Sequence, residues 1–286
     1  MARAPHAPLV ALGSLEGGSM KIVAVANQKG GVGKTSVAQS LLHAAAARGK
    51  KALGIDLDSQ GNLTQQLTAR NADEWFDVTI ADVMDPSTNV RVDEAVVPTR
   101  RDGIDLVPSG LDDYVAVEMT LTGAMMRELT LHKALSQLPD DAYDLVVIDC
   151  PAALGLTLTN AFAAVDSVII VTDPSSAGFV GVGRIVNTID TANEQLGRVL
   201  GREIDIAGIV INGHRTNVKT EEAFVSEIEE YARDAEISVL GRPLPRLTFI
   251  QRANAAGYGF DELTEIRAVE VARFFDDMLT TITGKD

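Results

Sequence analysis

Along the chain, short runs of Val, Ile and Leu alternate with longer stretches in which apolar residues return every three to four positions. The runs KIVAVA (21–26), KALGIDL (51–57), DLVVID (144–149), DSVIIVTD (166–173) and IAGIVIN (206–212) are nearly continuous in apolar residues, as strands covered on both faces are. The stretches between them predict helices over 34–48, 156–164, 178–196 and 220–234, with a further set of helices between 79 and 138. Buried strands joined through helices require right-handed crossovers. The expected class is therefore α/β, with a mainly parallel sheet sandwiched between helices and ligands bound at the carboxyl ends of the strands. The pattern weakens over 73–113, where Asp85-Pro86-Ser87 and Arg101-Asp102-Gly103 mark turns, but no linker divides off a second domain. A single domain is expected over 20–286. Residues 1–19, with one arginine and a four-residue apolar stretch, make a poor signal peptide and are expected to be a flexible tail.

Composition narrows the function classes. With 286 residues, 46% of them hydrophobic and 23% charged, the chain can bury a sizeable core, which excludes a disordered or fibrous protein. A net charge of −15 repels nucleic acid on average, so any DNA contact must come from a local basic patch. The one cysteine, Cys150, excludes an internal disulfide framework and any cysteine-only zinc or iron–sulfur site built by a single subunit; a reducing cytoplasm is expected. With no histidine near it in sequence, Cys150 reads as a small buried hydrophobe. His6, His43, His132 and His214 are scattered without metal-ligand spacing. No apolar run approaches the roughly 18 to 20 residues that would span a bilayer, so no membrane partner is expected.

The sharpest signal is Asn27-Gln28-Lys29-Gly30-Gly31-Val32-Gly33-Lys34-Thr35-Ser36, between the first strand and the first helix. Glycines let successive N–H groups face a phosphate at the helix start, Lys34 reaches the outer phosphates, and the Thr35 hydroxyl can ligate Mg²⁺. Gly30, Gly31, Val32, Gly33, Lys34, Thr35 and Ser36 thus form a nucleoside triphosphate cradle of the P-loop NTPase kind. Gln28 stands where the general pattern asks for Gly, and Lys29 adds a second lysine. Two lysines so close repel unless an anion lies between them or one points elsewhere. Asp149 closes the run LVVI, where a carboxylate can hold Mg²⁺ through a water shell. Asp56 and Asp58 at the end of the second strand are expected to point to opposite faces and do different jobs, Asp56 backing the metal. Asn212 and Pro245 are candidate neighbours of an adenine.

KGGVGKT, IDLDSQGNLT (55–64) and VVIDCPAALG (146–155), in that order, resemble the deviant Walker family of ATPases, most closely its ParA/Soj branch, from Met20 to about Gly259. The resemblance implies ATP and Mg²⁺ as ligands and an ATP-sandwich homodimer. In it, Lys29 would reach across to the partner's ATP, as an arginine finger does, and Asp58 would serve the attacking water. The stretch 151–157 resembles the family's γ-phosphate-sensing switch, with Ala152 where a second proline often stands. His214-Arg215-Thr216-Asn217 and Pro245-Arg246 resemble the family's DNA-contacting segments. They make Arg215 and Arg246 candidate phosphate contacts on nonspecific double-stranded DNA, with Arg252 compensating for Leu247 and Phe249 at positions that are often polar. Arg242 belongs to the same local basic cluster, for which salt bridges to acidic residues are the competing explanation.

The implied cycle is that of a partition ATPase, nucleoid-associated when ATP-bound and stimulated by a ParB-like protein with a basic N-terminal segment. One cysteine excludes the nitrogenase iron protein, whose cluster needs two from each subunit. The four tyrosines form no terminal cluster of the kind carried by related kinases, and only a short stretch precedes Lys21, where larger plasmid forms carry a helix-turn-helix domain. The predicted helix 265–286 mixes Val269, Val271, Phe274, Phe275, Met278 and Leu279 with Asp276 and Asp277, which suits packing on the core better than a basic membrane helix. A MinD-like membrane-cycling regulator and an ATP-driven scaffold without DNA affinity are the alternatives.

Overall fold

The computed structural model describes residues 20–68, 76–110, 121 and 126–284. Its strands are β1 (Lys21–Ala26), β2 (Ala52–Asp56), β3 (Val97–Pro98), β4 (Ile104–Val107), β5 (Leu145–Asp149), β6 (Ser167–Thr172) and β7 (Asp205–Ile211). The helices are α1 (Lys34–Ala47), α2 (Asn62–Thr68), α3 (Ile80–Met84), α4 (Thr130–Leu135), α5 (Leu156–Ala164), α6 (Ser176–Leu200), α7 (Lys219–Asp234), α8 (Thr248–Ala256) and α9 (Ile266–Thr283). One seven-stranded sheet runs in the order β3-β4-β2-β5-β1-β6-β7, parallel throughout except for β3. From β1 the chain first builds β2 and β4 to one side and later β6 and β7 to the other. The crevice where ligands bind in such sheets therefore lies beside β1.

Alternation along the strands sorts the side chains into two cores. Val23, Val25, Leu145, Val147, Ile169 and Val171 face a layer containing α1, α2, α8 and α9. Ala24, Ala26, Val146, Ile148, Val168 and Ile170 face the opposite layer of α3 to α7. Both faces are covered, which is why the strands carry no polar alternation. Helix α6 begins where the Ser175 Oγ accepts the Gly178 N–H at 3.0 Å and ends on Gly201, whose φ of 67° is the left-handed cap that glycine favours.

The predicted parallel sandwich is present, with corrections in the interval 79–138. Among its described residues that span contains two strands as well as helices. The four residues of β4 are too few to show a period, and β3 ends on Pro98, which a sheet tolerates only at its edge. Helices α2 and α8 were not foreseen. The predicted 265–286 helix is α9, and it packs on the core through Val271, Phe275, Met278 and Leu279; Val269, expected to share in that packing, is 56% exposed. The expected tail, 1–19, lies outside the described residues.

Candidate functional site

The glycine-rich loop joins β1 to α1 at the crevice. Gly31 and Gly33 have φ of 77° and 96°, the left-handed region that a side chain resists. No side chain caps α1 at Gly33, so the N–H groups of the first turn remain for a ligand. The loop is pinned from behind. Buried Asn27 donates Nδ2 to the Val171 carbonyl at 2.6 Å and accepts the Lys29 N–H at 2.9 Å, and Gly181 of α6 approaches so closely that a Cβ there would lie 2.7 Å from Asn27 Oδ1. Just past β7, Asn212 donates Nδ2 to the Val32 carbonyl at 2.8 Å, and a Cβ on Gly33 would collide with that amide. Asn212 therefore braces the phosphate loop itself, a task its sequence position did not reveal.

The two lysines are in opposite states. Lys34 is only 7% exposed and makes no hydrogen bond or ion pair among the described residues. Lys29 turns away from it, its Nζ donating to Asp173 Oδ1 at 2.8 Å, Asp173 Oδ2 at 2.6 Å and Ser175 Oγ at 3.0 Å. The repulsion expected between them is resolved by a carboxylate that sequence reading missed. Asp173 directly follows β6, just as Asp149 closes β5, so a survey of strand-end carboxylates would have found it.

Asp56 and Asp149 are register partners at the ends of β2 and β5, and both are fully buried. Asp56 is satisfied by the chain: Oδ2 accepts the Thr64 N–H and hydroxyl, both at 2.8 Å, and Oδ1 accepts the Asp58 N–H at 3.2 Å. Burial nevertheless raises its pKa to about 6, the Thr64 hydrogen bonds pulling the other way. Neither oxygen of Asp149 has a hydrogen-bond partner of proper geometry. Burial and then the charge of Asp56 push its pKa well above the ordinary carboxylate value, although the Thr35 hydroxyl and Lys34 are close enough to oppose the shift. Asp58 is half-exposed and β2 stops at Asp56, so strand alternation does not separate the two residues; two positions apart, they would in any case share a face. Their difference is burial. Asp58 Oδ1 accepts the Gln60 N–H at 3.0 Å, and its second oxygen takes no hydrogen bond from the described residues.

A largely buried lysine and a buried carboxylate lying near each other, with no hydrogen bond or ion pair of proper geometry between their side chains or to any other described residue, fit a phosphate group with its divalent metal. Among the described residues no three His, Cys, Asp or Glu side chains converge to hold a metal by themselves. That is compatible with Mg²⁺, which keeps waters and phosphate oxygens as most of its ligands.

Residues 20–202 match the AAA domain family. The chain is 31% identical over 244 residues to the sporulation initiation inhibitor protein Soj of Bacillus subtilis, covering 83% of this chain and 88% of Soj. The chain belongs to the ParA/MinD superfamily of P-loop ATPases. An uncharacterised Mycobacterium tuberculosis protein is 34% identical over 241 residues, covering 79% of this chain and 73% of its own length. The crystal structure of cobyrinic acid a,c-diamide synthase from Mycobacterium smegmatis, with bound ADP and magnesium, superposes with a TM-score of 0.73 at 26% identity, over 91% of this chain and 94% of that one.

In this ParA/MinD-type chain the candidate adenine and DNA residues gather past β7. His214 bridges Pro245 in parallel, the His214 N–H donating to the Leu244 carbonyl and the Arg246 N–H to the His214 carbonyl, each at 2.9 Å. Asn212, Pro245, Arg215 and Arg246 are thereby brought to one edge. Arg215, exposed over 56% of its side chain, is not unpaired: its Nε donates to Glu221 Oε1 at 2.7 Å, and its backbone N–H to Glu221 Oε2 at the same distance. Arg242 pairs with Glu270 at 3.1 Å, as the salt-bridge explanation of the cluster requires. Arg246 and Arg252 are exposed and make no ion pair among the described residues. Residues 151–155 form an irregular loop between β5 and α5, with Leu154 57% exposed. Cys150 is fully buried and burial pushes its thiol pKa up, which suits a packing residue and not a nucleophile. No helix among the described residues is long and apolar enough to cross a membrane.

Proposed function

We propose that this chain is a ParA-like partition ATPase. Its ATP-bound form is a homodimer that binds nonspecific double-stranded DNA, and a ParB-like partner with a basic N-terminal segment stimulates hydrolysis and release. Such a cycle moves or spaces a cargo on the nucleoid. The observation that carries this reading is the pair of lysines on one loop, one buried and without an ion pair among the described residues, the other held at the surface by Asp173.

Each residue then has a task. Lys34 and the N–H groups of Gly30 to Ser36 bind the β- and γ-phosphates. Mg²⁺ supplies charge neutralisation at the phosphate oxygens. Thr35 and Asp149 would hold it, and Asp56 steadies that end of the sheet through Thr64. Asp58 orients the attacking water with the carboxylate oxygen to which no described residue donates a hydrogen bond. Lys29 neutralises transition-state charge across the dimer. Arg215, Arg246 and Arg252 supply phosphate contacts that are too few in one subunit but doubled by dimerisation, so that ATP switches DNA affinity on by pairing weak sites.

Retention on immobilised random-sequence duplex and on anionic liposomes, each with ATP and with ADP, separates the readings. The partition reading expects retention on duplex with ATP alone. Retention on liposomes would favour the membrane-cycling alternative, and ATP-dependent dimers that ignore both supports would leave the scaffold.

A further inference from the structure

Lys29 carries three ammonium protons, and all three have acceptors within its own subunit: the two oxygens of Asp173 and the hydroxyl of Ser175. The acceptors are themselves fixed. Ser175 Oγ donates to Asp173 Oδ1 at 2.8 Å and accepts the Gly178 N–H at 3.0 Å as the N-cap of the 25-residue helix α6. The Lys29 backbone is held by Asn27, which is tied in turn to β6. Every hydrogen-bonding position of the Ser175 hydroxyl is used: one donor, and two acceptor sites taken by Gly178 and Lys29. Lys34, five residues away on the same loop, has no such partner. A lysine saturated in this way has no proton left for a phosphate.

We infer that Asp173 and Ser175 form a latch that holds Lys29 inside its own subunit and opposes ATP-dependent dimerisation until the partner's nucleotide displaces the carboxylate. The inference rests on the reading of Lys29 as the residue that crosses the dimer. Asp173 acts through Lys29 and is a positioning residue, not a catalytic one. Formation of one dimer opens two latches, so the effect of the contact on a single subunit enters the dimer dissociation constant squared. The latch is half-exposed, with 30% and 31% of the two side chains accessible, so each contact is expected to hold back Lys29 by about threefold and the pair by about tenfold.

Sedimentation equilibrium of the full chain with adenylyl imidodiphosphate reads that constant. Asp173→Asn should lower it about tenfold relative to the parent. Asp173→Ala, which removes the remaining acceptor, should lower it at least as far, and Ser175→Ala should move it about twofold in the same direction. In a Lys29→Ala background, which is not expected to dimerise, the readout is the melting temperature of the ADP-bound monomer: Asp173→Asn should leave it unchanged, because there is no ammonium to release, whereas a purely structural role for Asp173 would still lower it. Unchanged ADP affinity shows that each variant is folded. If Lys29→Ala prevents dimerisation while Asp173→Asn and Asp173→Ala leave the parent's constant unchanged or raise it, the latch is wrong and the crossing lysine stands. If Lys29→Ala dimerises as the parent does, the crossing-lysine reading fails, and the latch with it.

Discussion

The sheet presents two charged regions at its carboxyl ends, and they are built on opposite principles. Beside β1 and β5, Lys34 and Asp149 are buried near each other with no side-chain hydrogen bond or ion pair of proper geometry among the described residues; beyond β7, Arg215 and Arg242 are solvated and each is already matched to a glutamate. An unpartnered charge in the interior costs several kcal/mol unless something binds there, whereas an exposed arginine costs almost nothing whether or not it has a ligand. The first region therefore favours a ligand that brings charge of its own. The second is compatible with DNA without requiring it, and DNA affinity there would come from repetition across the proposed dimer.

The largest effect should come from removing the buried cation. Lys34→Ala is expected to weaken ATP binding at least a thousandfold, about 4 kcal/mol, measured by calorimetry, because the phosphates lose a charge that no solvent can replace. Binding reduced less than tenfold would place the phosphates elsewhere. Next, Asp58→Ala should cut ATP turnover on the order of a hundredfold while leaving nucleotide affinity near that of the parent, so that ATP traps a stable dimer visible by size-exclusion chromatography. Turnover equal to the parent's would remove Asp58 from the chemistry. At the other edge, Arg215→Glu should abolish retention on random duplex yet spare dimerisation. A milder change to Gln should lower the log–log salt slope of DNA binding by about 1.8, two phosphate contacts per dimer at about 0.9 each. A slope that stays put shifts the DNA surface to Arg246 and Arg252.

The two regions were also unequally legible in the sequence. The phosphate loop could be read because glycines at fixed spacing between a strand and a helix have few other uses, and the burial of Lys34 follows from that geometry. Asp173 could be picked out as a strand-end carboxylate and Asn212 as a residue just past a strand, but their contacts with the loop, and that of Ser175, could not be read, since they reach it only when β6 and β7 are laid beside β1, and sheet order is not a local property of sequence. In the same way, nothing near Arg215 in the strand pattern announces that Glu221, in the first turn of the next helix, takes its charge. Strands β3 and β4 were missed because a pair of two and four residues leaves no period to detect. The parallel core, by contrast, follows from apolar runs that no half-exposed strand could carry.

The smallest effect concerns a buried group that belongs to neither region. His43 on α1 accepts the Arg101 guanidinium at Nδ1, 3.0 Å away, and its Nε2 is buried without a partner. Burial, reinforced by Arg101, lowers its pKa from 6.5 to about 4, so the ring stays neutral and its orphan is a lost hydrogen bond, not an uncompensated charge. With the folded pKa depressed, the unfolded chain binds the extra proton, so stability is lost as pH falls from about 6.5 to about 4 and levels off below that. The shift corresponds to at most about 3 kcal/mol, and about 1–2 kcal/mol is expected after local relaxation. Asp56, with its raised pKa, works in the opposite direction over part of the same window. The test is therefore the difference in urea unfolding between the parent and His43→Leu at pH 7 and pH 5. The parent should lose more stability over that interval than the variant, and equal losses would mean that His43 titrates normally.

The central claim is that nucleotide state alone converts a net charge of −15 into a DNA-binding assembly. Sedimentation velocity of the unaltered chain with a labelled random-sequence duplex at moderate salt reads oligomeric state and DNA binding in one experiment. The account predicts monomers that leave the duplex free in ADP and dimers that carry it in ATP. Equal DNA binding in both nucleotides, or ATP dimers that leave the duplex free, would contradict it.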